Sequence, residues 1–319
     1  LFEQYQDRAD QTMVFHPRDA YLTNGYSPLN QTSEDFTGLD NLEGINPANG
    51  VVVYYQLPAD SLDVSLEFKD KNGKTIHAYS SNAKGFKPWD GGPRPDPSPS
   101  ANKGLNRFVW NMRYPTMPGV KDVYIESSYA GHKVIPGSYE VVLNVKGKEY
   151  KSDFTILKNP KYPTDQATYV TYDSVMNYME GQVTDMHNMI NNLHSLQNQL
   201  STALGDIPDG AAQGALKEEG KALIQKIKTW DEAMVQRKSK AYDDVDNFEN
   251  KFTANYLFVL NHTESDIPVV TQPDRDRMHE LDMQWMTLKS QGNELLEKDI
   301  PAFNQKLWQA GVGALRIEK

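Results

Sequence analysis

Apolar positions along this chain follow two different periods. From about residue 46 to 157 they alternate with polar ones, the mark of half-buried strands. Val51 to Leu57 is a β-branched and aromatic run closed by Pro58. Val64, Leu66 and Phe68 alternate, Asn72-Gly73 supplies a hairpin turn, and Lys74 to Ala78 returns the chain. Phe108 to Met112 reads as another strand. Pro136-Gly137 turns into the alternating Tyr139, Val141 and Leu143, and Lys146-Gly147-Lys148 turns again into Tyr150 to Leu157. Roughly six or seven short strands in about 110 residues predict an antiparallel, immunoglobulin/fibronectin-like β-sandwich. One long Pro-, Gly- and Ser-rich loop, Gly85 to Gly104, interrupts it; loops of that length are usually functional or mobile.

Near Asn159-Pro160 and Pro163 the period changes. Met176, Met179, Val183, Met186, Ile190, Leu193, Leu200 and Leu204 are spaced by threes and fours, with Gln197 the one polar entry. Such a narrow seam predicts a helix of about 40 residues, roughly 60 Å long. Gly205 and Pro208 end it. Leu216, Leu223, Ile227, Trp230 and Met234 predict a second helix. Met278, Leu281, Trp285, Leu288 and Leu295 predict a third, bent or restarted at Pro301 and continued by Phe303 and Leu307. Phe248 to Leu260 is a short apolar stretch expected to pack across the end of the bundle. The expected organisation is an extended entry segment over 1–45, a β-sandwich over 46–157, and a long antiparallel three-helix bundle over 158–319.

Composition narrows the function. The 319 residues are only 38% hydrophobic, which suits long helices with one wet face, while 17 Tyr, 11 Phe and 5 Trp argue for a folded chain. A net charge of -10 repels phosphate backbones and argues against nucleic acid as a partner. No cysteine is present, so disulfides and thiolate chemistry are excluded. The apolar runs are too short to span a bilayer. No signal peptide is visible; Leu1 to Tyr5 reads as the interior of a longer product, so any such signal would lie upstream.

Candidate chemistry is sparse. His187 and His194 are seven apart, but no third ligand completes a metal set. His279-Glu280 begins like a zincin helix, yet position 283 is Met. Asp243, Asp244 and Asp246 lack the glycine and terminal glutamate of a calcium loop. No nucleophile elbow or P-loop occurs, and no cofactor is implied. Aromatic rings outside the regular strands are the better candidates: Phe86 and Trp89 in the long loop, with Tyr114, Tyr124 and Tyr129 in a second irregular stretch. Flat rings beside polar groups hold a partner surface or a sugar face, and they also serve to cap their own fold.

Gly44-Ile45-Asn46-Pro47-Ala48-Asn49-Gly50 and the strand after it resemble the C-terminal region of sortilin-like propeller proteins of Bacteroidetes, a family often labelled glycosyl hydrolase. Gly104 to Pro115, Pro136-Gly137-Ser138-Tyr139, Asp299 to Asn304 and Phe15-His16-Pro17-Arg18-Asp19 carry the same resemblance, the last looking like an exit strand from a propeller. The usual paired prolines after Asn46 are here Pro47-Ala48. The resemblance implies an upstream β-propeller to which any hydrolase label belongs, no catalytic residue within this chain, and export to the periplasm, cell surface or medium. Asp60-Ser61-Leu62 and Asp173-Ser174-Val175 look like the short O-glycosylation motif of such bacteria. The expected function is a structural and interaction module that buttresses a propeller or meets a cell-surface protein; a carbohydrate-binding accessory module is the alternative.

Overall fold

A computed structural model describes residues 11–25, 27–30, 44–207, 211–265 and 267–316, with the side chains of 211 and 212 excepted. It contains antiparallel sheets and several helices. The strands are β1 (Met13–Val14), β2 (Ala20–Tyr21), β3 (Val51–Leu57), β4 (Val64–Asp70), β5 (Thr75–Ser80), β6 (Gly104–Trp110), β7 (Gly137–Val145) and β8 (Lys148–Leu157). They form one sheet in the order β1-β3-β6 and another in the order β2-β8-β7-β4-β5. The helices are α1 (Gln166–Asp206), α2 (Ala211–Met234), the single turn α3 (Asp244–Asn247), α4 (Phe252–Thr263), α5 (Gln272–Glu294) and α6 (Ile300–Gln309).

The alternation in the sequence decides which faces of the strands meet. Val51, Val53, Tyr55 and Leu57 of β3 share one buried cluster with Val64, Leu66 and Phe68 of β4, Phe108 and Trp110 of β6, and Val141 and Leu143 of β7. The Trp110 ring lies 4.3 Å from that of Phe68, nearly parallel to it. Trp110 is fully buried, and its indole N–H donates to Arg113 O at 3.3 Å.

The segment expected to be an extended entry adds a short strand to each sheet. Met13–Val14 pairs antiparallel with β3, and Ala20–Tyr21 pairs parallel with β8. Of the aromatic rings of this segment, Phe15 is buried while Tyr21 is exposed. Phe2, Tyr5, Tyr26 and Phe36 lie outside the described residues.

Asp165 caps α1, its carboxylate accepting from Thr168 N at 2.8 Å. Thr271 and Asp274 form a reciprocal capping box on α5. The seam of α1 differs from its expected register: Leu196, not Gln197, is buried between Leu193 and Leu200, and Ala203 follows. Pro301 does not break the last helix. It has no N–H to offer the Glu297 carbonyl, and the chain widens into a π-helical turn over Leu295–Asp299 before running on as α6.

Two features depart from the expected organisation. The apolar stretch before residue 260 is the helix α4, packed along α1 and α5 rather than across an end. Its Tyr256, Leu257 and Leu260 are buried, and Tyr256 Oη donates to Asp282 at 2.8 Å. The connection from β6 to β7 also belongs to the helical core: Met117, Val120, Val123, Ile125 and Tyr129 share one cluster with α1, α2, α4, α5 and α6. The 46–157 stretch therefore supplies part of the core on which the helices pack.

Truncating Trp110 would open a cavity against Phe68, Tyr139 and Phe154. Trp110→Ala is expected to lower unfolding stability by about 3–5 kcal/mol in denaturant titration.

Candidate functional site

The connection between β6 and β7 leaves and returns through a narrow neck. Val134 N donates to Met112 O, Tyr114 N to His132 O, and Met117 N to Tyr129 O. Arg113 faces Lys133 across the neck. The Arg113 guanidinium donates to Gly131 O at 2.7 Å and pairs with Glu264, just past α4, at 2.6 Å. Beyond the neck, residues 118–121 lie against α1, Tyr124 bonds residue 239, and Ser127 and Ser128 bond Asn261 of α4.

The polar face of α1 receives this excursion. Asp173, Glu180 and His187 recur every seven residues, so they lie on one stripe of the helix. His132 fits between the two carboxylates, with Nδ1 2.9 Å from Glu180 and Nε2 3.1 Å from Asp173. Its own backbone N–H donates to the same Glu180 oxygen at 2.6 Å. Tyr114 stacks on the His132 ring and donates its hydroxyl to Asp173 at 3.1 Å. One stripe position further on, buried His187 lies 2.6 Å from Pro118 O through Nδ1 and meets Thr253 Oγ1 of α4 through Nε2. Asn191 donates to Gly119 O at 2.9 Å and accepts from Lys121 N at 3.0 Å.

The two histidines are shifted in opposite directions. Burial disfavours a charge on His132, but its hydrogen bonds to Asp173 and Glu180 outweigh that, so its pKa lies above the ordinary value. Burial lowers His187 to about 4, with the Pro118 carbonyl opposing only part of the shift. His187 is therefore neutral near pH 7, donating from Nδ1 to Pro118 O and accepting from Thr253 at Nε2.

The tip of the excursion builds an aromatic ridge. Trp89 donates its indole N–H to Val123 O at 3.0 Å, which pins the long loop to the tip. Gly91 has φ +69°, and a Cβ there would run into the Tyr124 ring. Phe86 stands beside Trp89, ring centres 6.2 Å apart and planes at 53°. Tyr124 N donates to Ser239 O, and its ring meets Tyr242 edge-on at 6.5 Å and 84°. Phe86 is 45% and Tyr242 61% exposed, while Trp89 and Tyr124 are half-buried between them. Partial burial, with Glu126 and Asp90 nearby, raises the Tyr124 hydroxyl pKa.

Of the five aromatic residues singled out in the sequence, Phe86, Trp89 and Tyr124 come together. Tyr129 does not: it is 3% exposed and lies in the helical core, where no ligand or partner reaches it. Tyr114 is committed to the His132 network inside the neck. Tyr242 went unremarked because it lies more than a hundred residues from Tyr124 in sequence. The seven-residue recurrence of Asp173, Glu180 and His187 was a legible signal for the polar stripe, since ionisable residues rarely keep a core-like period on a solvated face.

Compared with known proteins, the chain matches no family model, no curated protein and no solved structure. Among the described residues no three His, Asp or Glu side chains converge as a metal site, and no helix is long and apolar enough to cross a membrane. A groove of about 600 Å³ lies between α2 and the end of α5, lined by Ala222, Trp230, Ala233 and Leu295 among others. Its Lys226 and Asp299 pair with each other at 3.0 Å, and the Trp230 N–H is bonded to Leu288 O. Those charged and donor groups are satisfied within the protein and select no ligand.

Close packing under the ridge gives a direct test. A Cβ at Gly119 would run into the Pro93 ring and lie 2.9 Å from Trp89 Cζ2. Gly119→Ala is expected to destabilise the protein by about 1–3 kcal/mol and to displace the Trp89 indole N–H resonance, as followed by denaturant unfolding and NMR.

Proposed function

We propose that this chain is a non-catalytic structural and interaction module whose aromatic ridge docks on a protein surface. The carrying observation is the cant of the rings. Phe86 and Trp89 are tilted by 53° and Tyr124 and Tyr242 by 84°, so the ridge offers canted rings, with Phe86 and Tyr242 the most exposed, rather than a level platform for a sugar face. Half-buried aromatic residues on a firmly held backbone suit the anchor positions of protein interfaces.

A non-catalytic role is supported by how the buried imidazoles are used. His77 Nε2 lies 2.9 Å from Asp96 and its Nδ1 3.0 Å from Tyr79 Oη. His132 and His187 are likewise engaged at both nitrogens. Each holds one segment against another and has no free position for substrate.

In this reading the two sheets are an immunoglobulin/fibronectin-like β-sandwich and the helices a long antiparallel bundle. The resemblance of residues 44–58, 104–115, 136–139 and 299–304 to the C-terminal region of sortilin-like proteins makes the docked surface an upstream β-propeller, or a cell-surface protein, in an exported protein. The carbohydrate-binding alternative would use the same ridge.

Phe86→Ala combined with Trp89→Ala separates the two. Association with the purified propeller portion, measured by calorimetry, is expected to weaken by about tenfold or more, with migration through polysaccharide gels unchanged. Lost retention by a polysaccharide with propeller association intact would replace the docking reading by the carbohydrate one.

A further inference from the structure

The ridge stands on the tip of the excursion, and the excursion is bonded to α1 through two histidines, His132 and His187. Both ring nitrogens of His132 face carboxylate oxygens, Glu180 at 2.9 Å and Asp173 at 3.1 Å. A neutral imidazole has only one N–H and would turn a lone pair toward one of these anions. The Asp173 oxygen also accepts from Tyr114 Oη, and the Glu180 oxygen from His132 N, so both carboxylates are arranged as acceptors. The geometry thus calls for an imidazolium at His132. At His187 the surroundings favour the opposite: the fully buried ring meets the neutral Pro118 carbonyl and Thr253 hydroxyl, and burial disfavours a charge there.

We propose that His132 and His187 together gate the aromatic ridge by pH, holding the 112–134 excursion on α1 only while His132 is charged and His187 is neutral. This rests on the ridge being the docking surface and assigns it a regulation. The groups facing His132 are Asp173 and Glu180 from α1, Tyr172 edge-on from the same helix, and Tyr114 stacked from the neck. The Arg113–Glu264 pair lies at the neck beyond them. The aromatic neighbour of His187 is Tyr129, with ring centres 5.8 Å apart.

The signs are opposite at the two sites. The His132 pKa is raised in the folded protein, so its contribution is complete below about 6.5, the unconstrained value, and is lost as pH rises through the folded value. The His187 pKa is lowered to about 4, so its contribution is complete above about 6.5 and declines as pH falls toward that value. Alkali therefore releases the neck and acid releases the tip. Either change loosens the segment whose Val123 carbonyl pins Trp89.

The test uses the full chain with isotope-labelled histidine and tryptophan. Ring ¹⁵N shifts give the two protonation states, and the protection factor of the Trp89 indole N–H reports the ridge. Trp89 protection is expected to fall on the alkaline side in step with loss of the His132 proton, by up to about tenfold for each unit that separates His132 from an unconstrained histidine. It is expected to fall on the acid side in step with protonation of His187. Glu180→Gln should move the alkaline fall to lower pH and leave the acid fall in place. A neutral His132 ring at about pH 6, a flat Trp89 profile, or an alkaline fall unmoved by Glu180→Gln overturns the proposal. If the glutamine variant does not fold, the two wild-type titrations decide it. A two-sided profile with no effect of the Phe86 and Trp89 substitutions on association rejects docking and keeps the gate. A flat profile with association lost rejects the gate alone.

Discussion

An ionisable stripe buried along one helix sets the terms for the rest of this molecule. Asp173, Glu180 and His187 flank the apolar seam of α1, each four residues on from Tyr169, Met176 and Val183, and charged groups withdrawn from water are tolerated only when they are matched. The match comes from the β6–β7 excursion: His132 supplies charge and donors to two carboxylates, and Pro118 supplies an acceptor to His187. Removing one partner would leave the other buried and unmatched, which costs more than the pair gains over water. The helix is therefore held both by the apolar cluster it shares with α2, α4, α5 and the excursion and by the polar bonds that the excursion and Thr253 make to the stripe.

Arg113 concentrates this coupling at one residue. Its carbonyl accepts from the Trp110 indole inside the sheet cluster and lies 3.2 Å from His77 Nδ1 on β5. Its guanidinium reaches Gly131 within the neck and Glu264 at the end of α4. The positive φ of Met112, 59°, turns the chain out of β6 just before it. A backbone conformation that L side chains seldom adopt is thus held in place by neighbours from the sheets and from the helices. The ridge inherits that order, because Trp89 and Tyr124 are fixed by backbone carbonyls of the tip and of residue 239.

The sequence made much of the scaffold legible. Alternation at Val64, Leu66 and Phe68 and at Tyr139, Val141 and Leu143 specifies the inward face of each strand, since the side-chain period of a strand is two whatever its partners. The three-four seam of α1 specifies a long helix for the same reason. Local chemistry was also readable in the Asn72-Gly73 turn. Within the site, Phe86 and Trp89 stood out as rings in a loop too polar and Pro-rich to bury them unaided.

What the sequence by itself determined is the set of elements and the faces they turn inward, because these follow from periods and turn chemistry acting over a few residues. Only the tertiary structure decided the partners. Tyr129 and Tyr124, five residues apart in one irregular stretch, end on opposite sides of a buried boundary because one points into the helices and the other out past Gly91. Tyr242 joins the ridge from across the chain, Leu196 displaces Gln197 from the seam, and α4 lies beside α1 because it presents Thr253 to His187. Each outcome depends on matching polar groups and filling space between residues tens to hundreds of positions apart, and no local period encodes that.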